Sequence, residues 1–432
     1  MDEKHLRYID GLNGGSAQER LSNLKMLKAA VDAGEIERPE SGDDVNNHIH
    51  TTYSFSPYSP SKAIWTAYTA GLRTAGIMDH DSISGAREFI EAGEILGIAT
   101  TIGVECRVDF TDTPLCGKRI NNPDQVSNAY MAFHGIPHGK IGDVEQFFRP
   151  YRGERIKRNI MMVDMINDIT KPFGITLNFD LDIVPLSMYA EGGSITERHI
   201  LFGLSKKLVE KFGKGRRLAE FLKNSLKLNI SPKIEKYLLD KSNIYYEYDL
   251  LGALKSDMVE MFYIDAHAEC PAVREAIAFC REIGAISAYA YLGDVGDSVT
   301  GDKKTQKFED DYLELLFDVL DDLGFNAVTY MPSRNTIAQL RRVKALCERH
   351  GLFQISGEDI NSPRQPFVCL AMRNREFSNL VDSTWALIGH ERAAGENIEN
   401  AMFSDETIKK YPNLDERIKV YKELGMKSTG TA

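Results

Sequence analysis

From Val45 onward, short apolar or β-branched runs alternate with longer amphipathic stretches, the pattern expected of strands joined by helices in an α/β fold. Seven strands are predicted: one opening at Val45, then 75–78, 98–104, 130–133, 285–290, 327–330 and 353–356. Helices are expected at 61–70 and 85–96. Ahead of them, Ser16 and Glu19 form a capping-box pattern while Leu21, Leu24, Leu27 and Val31 share one face, so residues 16–33 read as a helix stopped by Gly34. Between 151 and 265 the alternation breaks. There, 155–169 reads as a helix, 175–184 as an extended connector and 196 to about 241 as short helices. Past Pro363, residues 367–372 are strand-like, and charged helices lead to a polar tail, 427–432, expected to fray.

Polar residues fall at the ends of these strands: His48 and His50, His80, Glu105, His134 and Asp359. His48 and His50 stand two apart in an extended segment and so share a face. A His-x-His pair alone also occurs on strand surfaces and in hydrogen-bonded cores; recurrence at six positions is what points to a metal site. Imidazole and carboxylate donors suit zinc, manganese or iron, whereas an all-oxygen set would suit magnesium or calcium. In barrels of alternating strands and helices, the loops at the C-terminal strand ends carry the chemistry.

Composition narrows the partners. The 432 residues carry 63 Asp plus Glu against 52 Lys plus Arg, a formal net charge of -11 that disfavours a nucleic-acid coat. Residues 206–241 run the other way, with eleven Lys or Arg against four Asp or Glu, and read either as a solvated helix face or as a cationic lid over an anionic substrate. The start lacks a signal-peptide core and no run is long and apolar enough to span a bilayer, so no membrane contact and a cytoplasmic location are expected. Six cysteines without CxxC spacing read as reduced packing residues. Ser54 and Ser356 sit in no G-x-S-x-G elbow, there is no Walker loop, and His267 precedes a helix and reads as structural.

The order of motifs resembles the PHP family, the polymerase and histidinol phosphatase superfamily of metal-dependent phosphoesterases. Asn46 to Phe55 is similar to its opening D-x-H-x-H-[ST]-x-x-S-[DH], Asp79-His80-Asp81 to its D-H-[DN], and Gly103-Val104-Glu105 to its glycine-x-glutamate. His134, with His138 as the alternative, matches its next histidine; Gly357 to Asn361 aligns with its closing G-[ST]-D-x-H; GSITERHI, 193–200, resembles its arginine-histidine segment. The resemblance covers about residues 45–365 and implies a distorted (β/α)7 barrel made of 45–180 and 265–372. A helical insertion or lid at 181–264 and helical extensions at 1–44 and 373–432 complete it.

It also implies a function: hydrolysis of a phosphoester, in a small phosphorylated metabolite or nucleotide, by a metal-bound hydroxide. Glu105 and Asp359 would be catalytic as well as ligating, and Arg198, His199 and Arg334 would contact the phosphate. Four departures from the family pattern qualify this. Asn46 stands for an aspartate, Phe55 for a ligand Asp or His, Tyr291 for a histidine and Asn361 for the final histidine. A first metal position would keep His48, His50, Glu105 and Asp359; a second would share Glu105 and add His134; a third would keep only His80. One firmly bound divalent transition metal and a second weaker one are therefore expected. A degenerate domain that binds metal or a phosphorylated ligand without turnover is the main alternative, and a hydrolase of the amidohydrolase type, whose barrels also begin with His-x-His, a third.

Overall fold

The computed structural model describes residues 2–294 and 307–427. Its seven strands, β1 (Val45–Ile49), β2 (Thr74–His80), β3 (Ala99–Asp109), β4 (Asn128–His134), β5 (Ile286–Ala290), β6 (Ala327–Tyr330) and β7 (Phe353–Ser356), form one sheet in sequence order. β1, β2 and β3 pair in parallel, as do β5, β6 and β7. The sheet curls until Ile360, just past β7, meets Ile49: His50 N–H donates to the Ile360 carbonyl at 3.0 Å and Ile360 N–H to the His48 carbonyl at 3.1 Å. The motif-bearing ends of β1 and β7 are thereby brought side by side.

β4 alone runs antiparallel to both neighbours. Among described residues, the connection 110–127 holds no helix, and a parallel return needs a crossover that such a segment does not supply. β3 also extends to Asp109, five residues beyond its expected end.

The inward-facing Met78, Ala132, Ala288 and Ile355 share one apolar cluster with Ala386, Leu387, Met402 and Tyr421. The C-terminal helices Ser378–Glu396 and Leu414–Lys427 thus stopper the barrel, and they cross at van der Waals contact through glycine. A Cβ on Gly389 would lie 1.9 Å from the Tyr421 carbonyl oxygen, and one on Gly425 2.1 Å from that of Trp385. Buried Glu391 accepts from Ile102 N–H at 2.8 Å and Thr101 Oγ1 at 2.7 Å, fixing this plug to the early part of β3.

A second cluster gathers apolar residues between Met162 and Phe262 and adds Phe55 from the loop after β1. Most of this region is helical in ways the hydrophobic pattern missed. The helix Ile141–Thr170 starts 14 residues earlier than expected and carries Pro150 inside it, and Tyr246–Phe262 is a helix not anticipated at all. The supposed connector 175–184 contains a π-turn, Phe179–Ile183, opened by Asn178, whose side chain accepts Leu181 N–H. Residues 367–372 form no strand: Leu370–Arg373 is a 3-10 turn, and Phe367, Cys369 and Met372 are apolar because they are buried, not because they pair. The tail beyond Lys427 lies outside the described residues. Among described residues, no helix is long and apolar enough to cross a membrane.

The N-terminal helices Glu3–Gly11 and Ala17–Asp32 pack on the barrel's first helices, and the expected Ser16–Glu19 capping box is present. Arg20, 2% exposed, forms a two-pronged pair with buried Glu88 at 2.9 and 2.6 Å, and Glu88 also accepts Ser61 N–H and Oγ–H. Arg20→Met leaves that carboxylate buried and unpaired, a loss expected to cost about 3–5 kcal/mol. Denaturant unfolding of the variant against the parent measures it; a change within error would show that the pair contributes nothing.

A second buried carboxylate, Glu309, accepts from Leu292 N–H at 2.8 Å and from the Tyr289 hydroxyl at 3.1 Å. Burial pushes its pKa up to about 7. The folded chain then holds a proton that the unfolded chain releases near pH 4.5, so this group's contribution is complete at low pH and falls as pH rises through 7, by on the order of 3 kcal/mol. Glu309→Gln is expected to flatten that part of the profile when unfolding midpoints at pH 5 and pH 8 are compared.

Candidate metal centre

β1 delivers His48 at its end and His50 one step beyond; β2 ends on His80; Glu105 points inward from β3; Asp359 follows β7. These five side chains converge. Glu105 Oε2 lies 3.7 Å from His48 Nε2, 4.0 Å from His50 Nε2 and 3.2 Å from His80 Nδ1. His50 Nε2 is 3.2 Å from Asp359 Oδ1. Two sets of ligand atoms, His48 with His50 and Asp359, and His50 with His80 and Glu105, each fall within 4.8 Å of one another.

The hydrogen-bond pattern around His50 fixes which nitrogen faces the group. Ser54 Oγ–H donates to Asp79 Oδ1 at 2.6 Å and sits 3.3 Å from His50 Nδ1. With its own proton committed to Asp79, Ser54 can only accept, so Nδ1–H donates to it and Nε2 is the nitrogen left to ligate. Thr51 N–H and Oγ1–H also donate to Asp79, both at 2.6 Å, which holds the loop in place. The Nε2 atoms of His48 and His50 are buried without a hydrogen-bonding partner. Buried imidazole nitrogens left open beside two carboxylates are what a divalent cation would satisfy, so the residues present fit a metal.

Electrostatics agree at His80 and Asp359, whereas at His48 burial, which lowers the pKa, is outweighed by Glu105, so that imidazole sheds its proton as a cation enters. Burial pulls the His80 pKa well below 6.5, and the neighbouring His50 adds to the shift. Burial alone would push the Asp359 carboxyl up, but His50, His48 and Arg198 more than reverse this and hold it well below the usual range. Neutral imidazole and ionised carboxylate are the ligating forms.

Four of the five, His48, His80, Glu105 and Asp359, line a cavity of about 160 Å³, with His50 behind them. Arg107, Arg155, Arg198, Lys255 and Arg334 also line it, with Tyr130. Arg107 and Arg155 belong to a buried network with Arg158, Asp81, Glu197 and Glu269. Arg155 Nε is 3.0 Å and Arg158 Nη2 2.9 Å from Glu269 Oε1, Arg107 Nη1 is 3.3 Å from Glu197, and Arg155 pairs with Asp81. Three guanidinium groups face three carboxylates, so the network is charge-balanced.

The model of the PHP domain family matches residues 46–322, well over half the chain. The chain belongs to the PHP domain family. A candidate metal-dependent phosphoesterase from Bifidobacterium adolescentis has a similar solved structure: TM-score 0.50, 19% identity, 78% of this chain and 96% of that one covered. An amidohydrolase from Chromobacterium violaceum, solved with bound sulfate and no metal, is similar at TM-score 0.47 and 16% identity over 75% of this chain and 90% of that one. The first shows the shared fold; the second is too distant to add to it. A comparison with curated proteins finds no significant match. PHP membership and the ligand geometry together make the chain a metal-dependent hydrolase in general class.

Within this PHP domain, the expected first-position ligands His48, His50, Glu105 and Asp359 all meet, and His80 joins them against Glu105 rather than standing apart. His134 does not. Because β4 runs backwards, Ala132 is the residue level with Glu105 and His134 lies past Phe133, the partner of Val104, deeper in the barrel, while Tyr130 lines the cavity instead. His134 is fully buried, and burial followed by the nearby His48 lowers its pKa to about 3. His138, the alternative, pairs with Glu391 at 2.8 Å.

Arg198 and Arg334 line the cavity; His199 does not. Its Nδ1 accepts Thr196 N–H at 3.0 Å, and Phe55 packs edge-on against its ring at 5.0 Å, so it caps a helix inside the second apolar cluster. None of the basic residues of 206–241 reaches the cavity, and that run is a solvated face. Asn46 accepts His48 N–H and donates to the Phe367 carbonyl, a purely backbone role. Tyr291 donates its hydroxyl to Asp310, and Asn361 donates to Asp359 Oδ1 at 2.6 Å. The sequence reading passed over Arg107, Arg155 and Lys255. Arg107 carried a signal, since it stands two residues after Glu105 and shares its face of β3.

His50 belongs to both ligand sets. His50→Ala is expected to weaken binding of zinc or manganese by more than the roughly 10–100-fold that follows loss of an outer-shell partner. His134→Asn should leave it unchanged, as read by competition with a chromophoric chelator. Equal losses in the two variants would place His134 among the ligands.

Proposed function

We propose that this PHP domain hydrolyses a phosphoester of a small phosphorylated metabolite or nucleotide. One observation carries the reading: four members of the imidazole and carboxylate group, His48, His80, Glu105 and Asp359, share a cavity with Arg198, Lys255 and Arg334, cations suited to phosphoryl oxygens. The phosphoesterase name of the Bifidobacterium adolescentis structure is in keeping with it. A divalent zinc, manganese or iron ion held by His48, His50, His80, Glu105 and Asp359 supplies Lewis acidity and the means to ionise water near neutral pH.

The chain's own residues do the rest. Glu105 and Asp359 would hold the cation, and Arg198, which lines the same cavity and helps to depress the Asp359 pKa, is placed to meet the phosphoryl group. Lys255 and Arg334 stabilise the spreading negative charge of the transition state. Leu201 and Val259 wall the cavity and exclude bulk water from it. His50 offers one nitrogen to two possible ligand sets, which supports one firmly held ion and at most a second, weaker one.

Binding of a phosphorylated ligand without turnover is the second reading. It is favoured by the engagement of Phe55 and Tyr291 away from the ligand group. A panel of phosphoesters assayed with zinc, manganese and ferrous iron separates the two. Hydrolysis is expected, abolished by chelation and lowered on the order of 100-fold in kcat/KM by Arg198→Met. Absence of hydrolysis with every metal, while a phosphorylated ligand still binds, would establish the binding reading instead.

A further inference from the structure

The helical cover, residues 171–264, touches the segments that follow β1, β2 and β7. After β1, Phe55 packs against Phe202 and Tyr248 at 5.6 and 6.0 Å as well as His199, and the Tyr53 carbonyl accepts Ser194 N–H at 2.7 Å. After β2, Ser194 Oγ–H donates to the carbonyl of His80 itself at 2.6 Å, and Ser82 Oγ–H to the Gly192 carbonyl at 2.9 Å. After β7, Arg364 makes a bidentate pair with buried Asp249, both contacts 2.8 Å, and stacks on Tyr237 with its guanidinium carbon 4.0 Å from the ring centre.

The last of these leads to a ligand. Arg364 sits in the turn 361–365, which Gln365 closes by accepting Asn361 N–H at 2.8 Å and Ser362 N–H at 2.7 Å. Asn361, fixed by that turn, donates to Asp359 Oδ1, the oxygen that approaches His50. A continuous path therefore runs from Asp249 on the cover through Arg364 and the turn to Asp359. Planar, two-pronged pairing and stacking on tyrosine give Arg364 one orientation, where a single flexible contact would leave the turn free to pivot.

We propose that the cover is a fixed part of the metal centre and that Arg364 is a positioning residue for Asp359, clamped by Asp249. This rests on the reading of the five-residue group as a metal site. An outer partner that orients a ligand typically changes metal affinity by about 10–100-fold. The full chain, stripped of metal and titrated with zinc against a chromophoric chelator, tests both ideas at once. Arg364→Met and the isosteric Asp249→Asn are expected to bind zinc at least about tenfold more weakly than the parent, at a temperature where the apo variants, whose thermal midpoints fall because a buried partner is lost, are still fully folded. Lys207→Met, which breaks a solvent-side pair with Asp182 at 2.9 Å on the same cover, is expected to bind as the parent does. A parent that binds no zinc overturns the site itself. A parent that binds, with Arg364→Met and Asp249→Asn binding equally well, overturns the clamp and leaves the site standing. An equal loss in Lys207→Met would make the effect one of general destabilisation and also overturn the clamp.

Discussion

One carboxylate oxygen, Glu105 Oε2, lies within 4.0 Å of nitrogen atoms from three imidazoles. So much open donor capacity, nearly sealed from solvent, is expensive in a protein interior unless a cation repays it. The barrel is arranged around that demand. β1, β2 and β3 run parallel so that their ends coincide, and the sheet closes at Ile49 and Ile360, which sets Asp359 beside His50.

Around this charge-rich mouth the chain neutralises what it buries. Arg107, Arg155 and Arg158 face Asp81, Glu197 and Glu269, and the residue next to His80, Asp81, is held by Arg155 in a left-handed backbone conformation with φ of +50°. The same network joins the long helix 141–170 to β3 and to the start of the helix carrying Arg198. The cations that shape the cavity and the helices that roof it are thus set by one set of ion pairs, and the opposite end of the barrel is closed by the C-terminal helices through apolar packing and the hydrogen bonds of Glu391.

Much of this was legible in the sequence, for a physical reason. Strand ends carrying His48, His50, His80, Glu105 and Asp359 follow apolar runs whose period and length report burial directly. What stayed hidden depends on direction and distance in space. His134 has the right residue type after the right kind of run, but the pattern of a strand is the same read forwards or backwards, and only the antiparallel pairing shows that its end lies below the ligands. Phe367 to Met372 misled in a similar way, since burial without pairing produces the same apolar run as a strand. His199 reads in the sequence as a phosphate contact and Phe55 as a lost ligand, yet the two pack on each other, with Tyr248 beside Phe55, across a contact that no local pattern encodes.

The backward course of β4 has a bearing on how the family can diversify. Its lead-in, residues 110–127, folds over the rim and contributes Asn121, Pro123 and Asp124 to the cavity lining. Since no crossover helix has to be threaded there, lengthening or trimming this rim leaves the order of strands untouched. The aperture can be resized for a bulkier or slimmer guest while the ligand-bearing loops keep their places.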